Sequence, residues 1–218
     1  MPKRPDLPRL YAILDADFVA ARSIDPRGLV DTWVTSGVRL VQVRAKTLSG
    51  GPFLDLSREV ARRMTAVGGL SIINDRADMA RMAGADGVHV GQDDLAPADA
   101  RAILGPGAFV GISTHTDEQV KRALAMPVDY IAIGPVFATR TKGSTPDEPV
   151  GLAGVARAAA LVREAGIPIV AIGGIGLATA REVLSAGATS VAVIADLLDG
   201  DPVARARAWQ EAVAPPEA

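Results

Sequence analysis

The stretch Ala83-Gly84-Ala85-Asp86-Gly87-Val88-His89-Val90 reads as the end of a helix, a glycine that stops it, and a short apolar strand. The same phrase returns at Ser36-Gly37-Val38 and at Ala186-Gly187-Ala188-Thr189-Ser190. Outward from these joints, strands are predicted at 10–14, 38–43, 70–73, 87–90, 109–112, 130–133, 169–172 and 190–194. Each is nearly continuous in Val, Ile and Leu, as parallel strands covered on both faces must be. Helical periodicity lies between them, for example at 53–67, 97–104, 118–124, 152–164 and 178–185. Pro97 suits a first helical turn, Thr116-Asp117-Glu118 suits a helix start, and Gly166 and Gly187 follow helix ends where a left-handed residue is often needed. Eight βα units without a break in composition predict an α/β fold, a (β/α)8 TIM barrel of one domain. A doubly wound open sheet is the rival. The barrel is expected over residues 10–213, after an extension at 1–9 and before a tail at 214–218.

Composition narrows the function. The 218 residues are 49% apolar and 22% charged, with a net charge of -2. That is an ordinary soluble balance without the basic field that nucleic acid requires. The absence of cysteine excludes disulfides, zinc thiolates, iron–sulfur clusters and a cysteine nucleophile. The N-terminal residues are basic and proline-rich without an apolar core, so no secretory signal is read there. No apolar run reaches membrane-spanning length. A cytoplasmic protein with neither nucleic-acid nor membrane partners is expected. Lysine occurs only at Lys3, Lys46, Lys121 and Lys142, so a lysine inside a motif suggests a wanted ammonium.

In a barrel of this kind the chemistry gathers where the strands end. Strand one ends in Asp15, and strand two in Gln42-Val43-Arg44-Ala45-Lys46, whose alternate spacing sends three polar side chains to one side. Then come Asn74-Asp75-Arg76, Gly91-Gln92-Asp93-Asp94, Ser113-Thr114-His115, Thr139-Arg140-Thr141-Lys142-Gly143, Gly173-Gly174-Ile175-Gly176 and Ile194-Ala195. Each group has a plain reading. Arg44 and Lys46 could be rim charges, Asp75, Asn74 and Asp94 helix caps, His89 a packed histidine, and Gly173-Gly174 a turn. Their convergence on one face favours chemistry. Asp75 and Asp94 suit Mg2+, which takes carboxylate, water and phosphate oxygens. Arg44, Lys46 and Lys142 supply cations for a polyphosphate. The glycines after strand seven and the backbone N–H groups after strand eight suit a monophosphate, with hydroxyls from Thr139 and Thr141. No Ser-His-Asp order, zinc helix or dinucleotide fingerprint competes.

At these residues the chain resembles the thiamine-phosphate synthase family over nearly its whole length. The motifs are Gln42-Val43-Arg44-Ala45-Lys46, Ile73-Asn74-Asp75-Arg76, Asp86-Gly87-Val88-His89-Val90-Gly91-Gln92-Asp93-Asp94, Gly111-Ile112-Ser113-Thr114-His115, Gly134-Pro135-Val136-Phe137-Ala138-Thr139-Arg140-Thr141-Lys142 and Ala171-Ile172-Gly173-Gly174-Ile175. The resemblance implies condensation of 4-amino-5-hydroxymethyl-2-methylpyrimidine diphosphate with a thiazole phosphate, giving thiamine monophosphate and pyrophosphate. It implies that Gln42 binds the aminopyrimidine, that Arg44, Lys46, Asn74 and Lys142 hold the diphosphate, and that Asp75 and Asp94 ligate Mg2+. Ser113 would sit by the pyrimidine and diphosphate, and Thr139, Thr141, Gly174, Ile194 and Ala195 by the thiazole phosphate. The implied catalytic set is Arg44, Lys46, Ser113 and Lys142.

Two departures stand out. Family members commonly carry serine after the strand-eight isoleucine, where this chain has Ala195, and the polar loop at 143–149 reads as a candidate lid. A related thiazole tautomerase, a non-catalytic thiamine-phosphate-binding paralogue and a sugar-phosphate isomerase or epimerase are the alternatives. The first two tend to lose Gln92, Asp75 and Asp94, or have no use for them. The third needs an acid–base pair at the strand ends, which the Arg-Ala-Lys and Asn-Asp-Arg set fits less well. A homo-oligomer is compatible with the sequence, but no surface stripe decides it.

Overall fold

The computed structural model describes residues 7–139 and 148–215. Eight strands, β1 (Leu10–Asp15), β2 (Leu40–Arg44), β3 (Leu70–Asn74), β4 (Gly87–Val90), β5 (Phe109–Thr114), β6 (Tyr130–Ile133), β7 (Ile169–Ile172) and β8 (Ser190–Val193), pair in parallel in chain order. Pairing of Leu10 with Val191, Tyr11 with Ala192 and Ala12 with Val193 returns β8 to β1 and closes the barrel, which removes the open-sheet alternative. The helices are α1 (Ala16–Ala20), α2 (Pro26–Thr35), α3 (Gly50–Ala66), α4 (Ala77–Ala83), α5 (Pro97–Leu104), α6 (Asp117–Ala123), α7 (Gly151–Val162), α8 (Leu177–Ser185) and α9 (Pro202–Val213), with a 3-10 turn at Asp196–Leu198.

Alternation along each strand builds two apolar layers. Leu10, Ala12 and Leu14 of β1 point outward under the helices, in the shell that buries Trp33 and Trp209. Tyr11 and Ile13 point inward, with Leu40, Ile72, Tyr130 and Val170. Leu7, ahead of the first strand, joins this inner layer. Gly111 makes the inner packing feasible, because a Cβ there would lie 2.0 Å from the Tyr130 ring. Any side chain on β5 at that point would expel the tyrosine.

Strand bounds differ from the periodicity mainly at β2, which begins at Leu40. Val38 N–H instead donates to Trp33 O at 2.9 Å, closing the end of α2. Thr116 caps α6 by accepting from Gln119 N–H at 3.2 Å, and Pro97 opens α5. Gly166 and Gly187 take φ of 64° and 110°. Among the described residues, no helix is long and apolar enough to cross a membrane.

Candidate functional site

The parallel strands deliver their C-terminal ends to one rim. On β2, Gln42 is buried, Arg44 half-buried and Lys46 half-exposed in the loop beyond. Arg44 pairs with Asp15, the last residue of β1, in register with it. Asp15 is buried and also accepts from Phe18 N–H at 3.0 Å, so it starts α1 and orients Arg44 at once. Asp17 accepts from Lys46 N–H at 2.9 Å and from the Thr47 hydroxyl, fixing the loop that carries Lys46. Neither aspartate was assigned a role from sequence. A carboxylate after a strand reads as a cap, and Asp15 is one, so no separate signal betrayed the second contact.

Lys46 Nζ reaches Asp75, which follows β3, and the Asp75 and Asp94 carboxyls perturb each other's ionisation. Asp75 sits at φ 61°, a left-handed position that a non-glycine residue holds only when its surroundings impose it. Its N–H donates to His89 O at 2.7 Å, which ties the turn to β4. The capping readings do not hold. Helix α4 begins after Arg76 and α5 after Ala96, neither with a side-chain cap, while Asp94 accepts from Gly91 N–H at 2.8 Å within its own loop. Burial pushes Asp75 up; Lys46 opposes this and Asp94 adds to it. At Asp94 burial also acts upward, but the interaction with Asp75 and the hydrogen bond from Gly91 N–H outweigh it and hold the group down. Two carboxyls this close must share a proton or a cation. Among the described residues no group of three or more His, Cys, Asp or Glu converges. Two carboxylates are the complement that suits an ion completing its shell with water and substrate phosphate, so the residues fit Mg2+. Asn74 is buried at the end of β3, level with His89.

A buried polar chain crosses the barrel beneath this rim. Gln42 Nε2 donates to Tyr11 Oη at 2.8 Å, Tyr11 Oη meets Tyr130 Oη at 3.0 Å, Tyr130 Oη meets His89 Nδ1 at 3.0 Å, and His89 Nε2 meets Ser113 Oγ at 2.8 Å. Burial drives both phenols well above their ordinary range. With neutral groups the donors must all run one way. Starting from Gln42, His89 carries its proton on Nε2, Gln42 keeps its Oε1 acceptor for the rim, and Ser113 keeps its hydroxyl proton. Gln92 Nε2 donates to Ser113 O at 2.6 Å from the next loop. His89, read from sequence as packed, is therefore a link between the candidate residues Gln42 and Ser113. Tyr11 and Tyr130 were missed, because an aromatic at an apolar strand position reads as core. His115 is a brace, with Nδ1 at 2.5 Å from Gly134 O.

Across the rim a cavity of about 450 Å3 collects Thr139, Gly174, Ile194, Ala195, Asp196 and Arg22. Gly174 is at φ 67°, and a Cβ there would lie 2.8 Å from Ala138 O and Phe137 Cβ, so only glycine lets these loops close on each other. Asp196 accepts from Trp209 Nε1 at 2.6 Å and pairs with Arg205 at 2.7 Å. Thr141 and Lys142 lie outside the described residues, as does most of the loop at 143–149. The remaining candidates therefore fall into a cation and carboxylate cluster with a polar chain beneath it, and a separate glycine-walled cavity.

A closed (β/α)8 barrel with its ionisable groups gathered at the C-terminal rim belongs to the class of barrel enzymes that work at that face. The family model described as thiamine monophosphate synthase matches residues 10–197. A thiamine-phosphate synthase of Koribacter versatilis is 49% identical over 88% of this chain and 90% of its own length. One of Myxococcus xanthus is 40% identical over 97% and 95%. The solved thiamine phosphate pyrophosphorylase from Pyrococcus furiosus superposes with a TM-score of 0.81 at 27% identity, covering 94% of this chain and 95% of that one. The chain belongs to the thiamine monophosphate synthase family, and with it to the transferases of thiamine biosynthesis.

Proposed function

We propose that the rim joins 4-amino-5-hydroxymethyl-2-methylpyrimidine diphosphate to 4-methyl-5-(2-phosphoethyl)thiazole, releasing pyrophosphate and forming thiamine monophosphate. The observation that carries this reading is the cluster of Lys46, Asp75 and Asp94 beside Arg44, set directly over the chain from Gln42 to Ser113. A diphosphate leaves only if its growing charge is neutralised, and fixed cations do that without reorganising. Arg44, held by Asp15, and Lys46, held through Asp17 and Asp75, meet the diphosphate with Asn74 and with Lys142 from beyond the described residues. Asp75 and Asp94 would hold Mg2+, which when bound supplies further positive charge to the leaving oxygens.

Gln42 offers Oε1 to the exocyclic amine of the pyrimidine, and Ser113 offers its hydroxyl proton on the other side. The methylene–oxygen bond breaks with its electron pair leaving on pyrophosphate, and the amino-substituted ring shares the positive charge on the methylene. The thiazole nitrogen then donates its lone pair to that carbon. No proton is removed from the nucleophile, so the site needs no general base. Thr139, Gly174 and the backbone at Ile194 and Ala195, which line the second cavity, take the thiazole phosphate, with Thr141 contributing from beyond the described residues. The test is an endpoint assay with both substrates and Mg2+, beside Asp75→Ala and a chelator control. Thiamine monophosphate from the parent alone supports the reading. Absence of product from folded parent protein overturns it and leaves the tautomerase as the next reaction to assay.

A further inference from the structure

Arg22, just beyond α1, was given no part by the sequence, yet it is the only cation among the described residues that line the second cavity. Its guanidinium carbon lies 3.5 Å from the centre of the Phe18 ring, and Nη1 donates to Phe18 O at 3.2 Å. Phe18 in turn packs on the inner layer of the barrel, so the cation rests on an anchored platform. Arg44 and Lys46 are bound to carboxylates, whereas Arg22 has no carboxylate partner among the described residues. The cavity needs such a charge. Asp196 and Asp199 also line it, and both are answered by the single Arg205, at 2.7 and 3.7 Å. A phosphate entering there meets two carboxylates with one cation already committed to them. The methyl side chain of Ala195 offers no hydrogen bond in compensation.

We infer that Arg22 is a phosphate-binding residue of this cavity, placing its remaining guanidinium donors on the phosphate of the thiazole substrate and supplying the contact that Ala195 cannot. The inference rests on the proposed synthase reading for the identity of that substrate. It is tested by titration calorimetry with thiazole phosphate, its dephosphorylated alcohol and inorganic phosphate, on the parent, Arg22→Gln and Arg22→Lys. Loss of a charge-assisted hydrogen bond predicts about tenfold or greater weakening of thiazole phosphate in Arg22→Gln. The alcohol should bind the parent and this variant alike, and the KM for pyrimidine diphosphate should stay within about twofold, since neither meets Arg22. Arg22→Lys should recover only part, because an ammonium cannot present a planar fork. Ala195→Ser should strengthen binding more in the Arg22→Gln background than in the parent. Unchanged thiazole-phosphate affinity in Arg22→Gln, or equal losses for phosphate and alcohol, overturns the inference. A parent that makes no product but loses inorganic phosphate binding on Arg22→Gln overturns the synthase reading and leaves this one standing.

Discussion

Replacing Tyr130 by phenylalanine removes one oxygen from the middle of the buried chain and leaves the ring, with its edge-on contact to Tyr11 at 6.0 Å, in place. Two groups then lose a partner: Tyr11 Oη, which had met Tyr130 at 3.0 Å, and His89 Nδ1, which had met it at the same distance. Tyr11 keeps the donor from Gln42, and His89 keeps Ser113. An unsatisfied buried polar group costs about 1–3 kcal/mol, so the two that lose a partner in Tyr130→Phe should together lower the unfolding free energy by about 2–6 kcal/mol. Urea unfolding measures this directly, with the midpoint moving and the slope unchanged. The sharper readout is the tautomer. Nitrogen-15 NMR of labelled imidazole should find His89 protonated on Nε2 and bare on Nδ1 in the parent. In the variant Nδ1 loses the Tyr130 donor, and the preference for that single tautomer should weaken towards a mixture. Gln42 and Ser113 sit at the two ends, so the KM for pyrimidine diphosphate should rise while that for thiazole phosphate holds. A stability loss below about 0.5 kcal/mol would mean the chain is not the dry, satisfied network described, since surface-like changes fall in that range. A parent His89 protonated on Nδ1 would refute the direction of the chain, and with it the acceptor assigned to Gln42.

The chain has two tyrosines, both buried with phenol ionisation pushed up by burial, so each favours the folded state fully below about pH 10 and loses that contribution as pH rises further. Unfolding free energy should fall by about 1.4 kcal/mol per pH unit for each tyrosine above that point, the slope dropping by one such step in Tyr130→Phe; tyrosinate absorbance titrating near pH 10 in folded protein would contradict this. Gly174→Ala forces a Cβ to within 2.8 Å of the Ala138 carbonyl at φ 67°, and should destabilise by about 2–4 kcal/mol and raise the KM for thiazole phosphate before that for pyrimidine diphosphate. Equal stability of this variant in thermal unfolding would show that the loops are not closed there. Arg205→Gln strips Asp196 and Asp199 of their cation, so thiazole-phosphate binding should weaken several-fold, with added salt restoring part of it by screening; a salt-independent loss would point to disturbed packing of α9 instead.

What the sequence conveys follows from which physical signals are local. The strands 87–90, 130–133 and 169–172 fall where unbroken apolar runs place them, because burial on both faces leaves no room for other patterns. The rim position of Arg44, Lys46, Asp75 and Asp94 is legible for a related reason, since the end of a strand is marked by the first polar residues after it. Their partners are not legible. Arg44 and Asp15 are 29 residues apart, and only the register between β1 and β2 sets them side by side. The chain beneath the rim is harder still, because Tyr11 and Tyr130 are separated by 119 positions and meet across the closed barrel. On their own strands each sits in an apolar alternation that any large core residue would satisfy. The glycine at 111 carried the hint, since a strand residue without a side chain in a barrel interior means something large fills the gap. Arg22 gives no signal in one dimension at all, being one arginine among many in a short connection. It acquires meaning only when the closed barrel brings the β1 and β8 loops to one cavity, where the cation lines the same walls as two carboxylates that already share another.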